Sequence, residues 1–143
     1  MRLMAFLAAV LAAFLIACAT AQADESGVAT ADELKVVSGA EVYAHICQGC
    51  HMADGKGARG AGHYPSLAGD PALVSSQFVV VTVLLGRNGM PPFGHASGGN
   101  GPFGVPHLSD EQIAAVTNYV RSHFGNHYTD KTTAAQVRVL PHT

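Results

Sequence analysis

Cysteine is scarce in this 143-residue chain, with three in all. That number leaves no room for a disulfide framework beyond a single pair. Cys18 lies in an N-terminal apolar stretch expected to leave the protein, so Cys47 and Cys50 are what the folded part keeps. A four-cysteine zinc site is therefore out of reach. A mixed site would have to recruit two of His63, His95 and His107. Charge is scarce as well, at 13% Asp, Glu, Lys and Arg, with 8 basic residues against 10 acidic ones. The formal charge of −2 becomes more negative by one when Arg2 is lost with the leader. Nothing here forms the basic stripe that a nucleic-acid partner needs. The one long apolar run, Leu3 to Ile16, is shorter than the ~20 residues that span a bilayer. There are no internal repeats, and the length favours a single domain.

The N-terminus reads as an export signal. Met1-Arg2 is a short basic start, the apolar run follows, and Ala21-Gln22-Ala23 offers small residues to a signal peptidase. Residues 1–23 are then signal peptide, 24–36 a polar leader, 37–125 the folded domain and 126–143 a C-terminal tail. A second reading stays open. Leu15-Ile16-Ala17-Cys18 has the form of a lipobox, in which Cys18 becomes the lipidated N-terminus and anchors the protein to a membrane. Both readings export the domain, and both place it in the periplasm.

Local signals predict helices. Ser38 and Glu41 have the spacing of a capping box, and Val37 and Val42 that of a hydrophobic staple, so a first helix runs from there to about Cys47. Residues 53–62 are rich in glycine and read as irregular loop. Their Gly55-x-Gly57-x-x-Gly60 has the form of a dinucleotide fingerprint but lacks its setting: no strand before it, no helix after it. Asp70-Pro71 supplies an N-cap and a first-turn proline. A second helix is expected from there to Gly86, against the strand propensity of the run Val79 to Val83. Gly94 to His107 is a second glycine-rich loop. Ser109 and Gln112 then make a capping box with Leu108 and Ile113 as staple. Ile113, Val116, Tyr119, Val120 and Phe124 mark one buried face, and Gly125 the stop. The tail has a weak helical turn or two near Ala134 to Leu140.

Cys47-Gln48-Gly49-Cys50-His51 is the C-x-x-C-H pattern of c-type haem attachment. Two thiols three residues apart at a helix end reach the vinyl groups on one porphyrin edge and form thioethers. The next residue projects its imidazole beneath the iron. A redox dithiol asks instead for a βαβ setting, which the helical flanks do not provide. One covalent haem is thus the expected cofactor. A second iron ligand follows by exclusion. Met4 leaves with the signal, and Met52 is tethered too closely to His51 to reach the opposite face. Met90 remains, stiffened by Pro91 and Pro92, and a soft thioether suits haem iron paired with histidine. His95 and His107 stand as rivals to Met90. His45, His123, His127 and His142 read as solvated, and His63 as a loop residue.

Together these residues resemble class I mono-haem cytochromes c, especially the bacterial branch related to the haem subunits of cbb3 oxidases. The likeness runs from Gly39-Ala40-x-x-Tyr43 through the haem motif, Asp54-Gly55-x-Gly57, Pro65-x-Leu67-Ala68-Gly69 and Gly89-Met90-Pro91-Pro92-Phe93 to Leu108-Ser109-Asp110-Glu111-Gln112-Ile113. It implies an all-α fold, three to five helices wrapped around one haem, with the first and last helices crossing near Tyr43 and Tyr119. It also implies that the Pro65 carbonyl accepts the second ring N–H of His51. The Gly94 to His107 loop is longer than the family pattern, and could loosen Met90 or serve a partner. The tail resembles that of cytochrome subunits of periplasmic dehydrogenases.

The expected function is one-electron transfer, with iron cycling between Fe(II) and Fe(III) and no catalysed reaction. The expected partners are redox proteins, a periplasmic dehydrogenase as donor and an oxidase or another cytochrome as acceptor. Two rivals stay open: a haem enzyme or gas sensor with an open or labile sixth iron position, and a fixed subunit of a larger complex.

Overall fold

The computed structural model describes residues 38–60, 62–94 and 104–142. The signal segment with Cys18, the polar leader, Val37, His95 and the middle of the Gly94 to His107 loop lie outside these residues.

The first helix, α1, consists of three joined pieces: Gly39–Val42, a π-helical Tyr43–Cys47, and Gln48–His51. Ser38 is extended at the N-cap, as expected, but its side chain makes no capping bond. The Ser38 carbonyl instead accepts the N–H groups of Glu41 and Val42, so the expected capping box is absent. The helix also continues one turn beyond the expected end at Cys47. It stops where Met52 takes φ 64 and ψ 161, a backbone region costly for any side chain. The Tyr43 hydroxyl holds that stop by donating to the Met52 carbonyl at 2.7 Å.

The glycine-rich stretch is not wholly irregular, which corrects the expectation. Ala58–Arg59 (β1) pairs antiparallel with His63–Tyr64 (β2), Ala58 opposite Tyr64 and Arg59 opposite His63. Asp70 caps as expected, accepting from Ala72 N–H at 2.9 Å, but starts only a 3-10 turn, Pro71–Val74. Ser75 then turns extended and caps the real helix, Ser76–Leu85 (α2), by accepting from Phe78 N–H. The expected single helix is therefore two. The valine run is helical because burial of Val79, Val80, Val83 and Leu84 outweighs intrinsic propensity.

The last long helix, Asp110–Ser122 (α3), carries the complete Ser109/Gln112 capping box. It ends slightly short of Gly125, in a turn where Phe124 has φ 57 and Gly125 φ 82. A short helix, Ala134–Arg138 (α4), has its own box from Thr133 and Gln136.

α3 is the centre of the packing, with α1, α2 and α4 all against it. At its crossing with α1, a Cβ on Gly39 would run into the Ala115 carbonyl and the Tyr119 Cβ. Glycine is what lets the two backbones meet there. Tyr43 and Tyr119 face each other across the crossing with ring centroids 5.5 Å apart, and Phe124 lies 4.8 Å from Tyr43. One apolar core results, and it includes Val137 of α4. Residues of the tail are thus part of the folded unit. Arg121, only 1% exposed, ties them in. Its Nε donates to the Leu73 carbonyl. Nη2 reaches the Val74 carbonyl and Asp130 Oδ1, and Nη1 the Asp130 carbonyl and Oδ2. All five N–H groups are used. Among the described residues the architecture is all-α with one two-stranded ribbon following the first helix.

Candidate haem site

α1 presents the attachment motif on its π-helical turn and the turn after it. Cys47 is half-buried and Cys50 exposed, and the two form no disulfide. Burial, and then the neighbouring Cys50, push the Cys47 thiol up to about 12, which makes it a poor thiolate nucleophile. His51 is buried, and its Nδ1 lies 3.0 Å from the Pro65 carbonyl. A carbonyl only accepts, so Nδ1 carries the hydrogen and Nε2 keeps its lone pair. That is the tautomer a metal ligand needs, with the ring orientation fixed from behind. The pairing of His51 with Pro65 stands where the resemblance placed it.

Backbone bonds hold the Pro65 carbonyl there. The Gly57 N–H donates to the His51 carbonyl, and the N–H groups of Leu67 and Ala68 both donate to the Gly55 carbonyl, at 2.7 and 3.1 Å. A Cβ on Gly57 would collide with the Tyr64 and Pro65 carbonyls. The glycines set aside as a nucleotide motif thus allow the histidine's partner to come close.

Met90 sits in a tight turn, exchanging both backbone bonds with Arg87: Arg87 N–H to the Met90 carbonyl at 3.0 Å, and Met90 N–H to the Arg87 carbonyl at 2.9 Å. Beyond it, Phe93 and Gly94 donate to the carbonyls of Val83 and Leu84. The Leu108 N–H closes on the Phe93 carbonyl at 2.9 Å. Phe93 and Leu108, which flank the long glycine-rich loop, are thus bonded to each other, and Phe93 and Gly94 are bonded to α2.

These residues fit a haem. Sulfur and imidazole donors of the right kind are present, His51 is in the ligating tautomer, and Ile46, Cys47, Leu67, Met90 and Val105 pack on the core while only partly buried. Such half-covered apolar side chains are what a flat apolar cofactor would bury. A zinc reading has less to stand on: among the described residues no three His, Cys, Asp or Glu side chains gather as a metal site. His63 is exposed on β2, and His107 is half-buried before Leu108. His45, His123 and His127 are exposed, though His123 stacks on Tyr119 at 4.0 Å. His142 lies against Asp110 at 3.0 Å.

Sequence reasoning overlooked Tyr43 as the holder of the helix stop and Asn126 as a link to the Pro65 segment. The Asn126 side-chain amide donates to the carbonyls of Leu67 and Val120, at 2.8 and 2.9 Å. No local pattern signals a partner 59 residues away.

Comparison with known proteins agrees with this geometry. A family model described as Cytochrome c matches residues 36–124. The fructose dehydrogenase cytochrome subunit of Gluconobacter japonicus is 37% identical over 102 residues, covering 64% of this chain and 20% of that protein. The alcohol dehydrogenase (quinone) cytochrome c subunit of Gluconobacter oxydans is 33% identical over 105 residues, covering 72% and 22%. The cbb3-type cytochrome c oxidase subunit CcoP of Rhodobacter capsulatus is 37% identical over 100 residues, covering 64% and 30%. The chain spans about a fifth of the length of the first two relatives and less than a third of the other. With its matched region and its helical fold, this chain belongs to the cytochrome c family and carries a covalent haem c.

Proposed function

We propose that this chain is a periplasmic one-electron carrier, its haem held by thioethers from Cys47 and Cys50 and its iron by His51 and Met90. Bound haem supplies a one-electron iron couple. The chain's own residues set how that couple behaves. Pro65 keeps His51 oriented and strengthens its donation, and the Arg87–Met90 turn keeps the thioether in place. What supports the reading is the bond from His51 to Pro65 and the turn that Arg87 closes on Met90, which hold in place two residues with donors that haem iron takes. A haem held by both residues would leave its iron no free position for a substrate and would supply one-electron transfer.

Relatives named as dehydrogenase cytochrome subunits support a dehydrogenase as donor, and the relation to CcoP supports an acceptor in a respiratory chain. In this reading residues 1–23 are removed on export, Cys18 being the lipidated terminus in the alternative, and residues 37–125 form the haem domain. No helix among the described residues is long and apolar enough to cross a membrane.

The ligand assignment is tested by Met90→Ala. The weak long-wavelength charge-transfer band of thioether-ligated ferric haem should vanish while haem content is unchanged. Persistence of the band refutes the assignment. Intact mass of the native protein separates the two N-termini, and co-purification under mild conditions identifies the donor.

A further inference from the structure

We infer that Asn126 is a positioning residue for the axial histidine, acting from the far end of α3 through Leu67 and Pro65. The inference rests on the assignment of His51 as an iron ligand. Segments 51–57 and 65–68 form a closed ring. His51 Nδ1–H donates to Pro65, Gly57 N–H to His51, and Leu67 and Ala68 N–H to Gly55. One side of the ring is already part of α1 through His51, and Tyr43 holds Met52 there; the other side, 65–68, is tied to α3 by the Asn126 amide. It is 5% exposed, and both its N–H groups are spent on carbonyls, Leu67 on the ring and Val120 on α3. Two acceptors as neighbours fix the amide's orientation without ambiguity.

The turn that delivers Asn126 is itself strained. Phe124 holds φ 57, which is unfavourable for a bulky side chain. Its ring is packed so closely on Gly55 that a Cβ there would meet it at 2.6 Å. Phe124 and Asn126 therefore grip the ring at two points, Gly55 and Leu67. Strain retained at such a turn is expected where the surrounding contacts over-determine it. Its consequence here is a fixed Pro65 carbonyl and so a fixed strength of the His51 Nδ1–H bond. That bond gives the imidazole anionic character and favours ferric iron.

Ferric holoprotein is the material for the test, with two readouts: solvent exchange of the paramagnetically shifted His51 Nδ1–H by NMR, and the midpoint potential. In Asn126→Ala the proton should exchange roughly tenfold faster, as loss of one hydrogen bond implies, and the potential should move upward. Asn126→Ser, which keeps one donor, should fall between. Gly57→Ala, which pushes the Pro65 carbonyl from the other side, should move both readouts the same way. Val137→Ala loosens the core at α4 and should move neither. Unchanged exchange and potential in Asn126→Ala and Gly57→Ala, or equal changes in Val137→Ala, overturn the inference. Absence of any such proton from the wild type would overturn the ligand assignment, and this inference with it.

Discussion

Gly86 ends α2 with φ 72 and ψ 168, a backbone region that essentially only glycine occupies. A Cβ at this position would collide with the Met90 carbonyl and lie 2.8 Å from Pro92 N and 2.9 Å from the Pro91 carbonyl carbon. Those are backbone atoms of the turn that carries the proposed sulfur ligand, so they have to give way. Gly86→Ala forces a strained backbone, at about 1–3 kcal/mol, and crowds a packed turn, at about 1–3 kcal/mol more. If releasing the sulfur relieves about 1.4 kcal/mol of this, the equilibrium constant for ligation falls tenfold. Optical titration of the ferric protein should show the thioether charge-transfer band weakened, and the potential lowered as iron loses its methionine. Gly69→Ala is the control. Gly69 has φ 64 with nothing within 4 Å of an added Cβ, so it shares the backbone cost without the push. A full band in Gly86→Ala, or the same loss in Gly69→Ala, refutes the argument that this turn seats Met90.

Arg121→Met strips donors from the Leu73 and Val74 carbonyls and should cost about 3 kcal/mol, the low end for a broken buried pair because Asp130 is open to water. Thermal unfolding followed by circular dichroism should fall by roughly 10–15 °C with haem retained, and a shift under ~4 °C contradicts the clamp. Arg121 also holds the Asp130 carboxyl below its ordinary 3.8, so the folded protein takes up that proton less readily than the unfolded chain. The stability it adds is present above that value and is lost as pH falls through the lowered one. Wild type and Asp130→Asn should accordingly converge in strong acid. Burial, above all, pushes the Tyr43 phenol up to about 12. Folded protein then keeps the proton that unfolded chain gives up, and stability falls as pH rises from 10 towards 12. Tyr43→Phe should flatten that alkaline limb and cost about 1 kcal/mol near neutrality, as denaturant unfolding would show.

Chemistry carried by adjacent residues was legible in the sequence. Cys47, Cys50 and His51 have the spacing of haem attachment once zinc and a dithiol are set aside, and the Ser109/Gln112 box and the buried face of α3 follow from positions three and four apart. Both rest on local geometry that the chain cannot avoid once it is helical. Where local signals competed, tertiary structure decided. Ser38 and Glu41 have capping-box spacing without making the bond, and Asp70-Pro71 starts a 3-10 turn because Ser75 offers a better cap one turn later. The π-helical turn at Tyr43–Cys47 has no local pattern in the sequence.

The motif by itself pointed to a covalent haem and to the residues proposed to hold it. What it left undetermined was how those residues are kept in place. Pro65 faces His51 because Gly57 lets the backbones approach, and Asn126 reaches Leu67 across 59 residues. Met90 is fixed because Gly86 leaves room for its carbonyl and Arg87 closes its turn. Each of those contacts joins residues distant along the chain or constrained by packing, so only the folded molecule could bring them about.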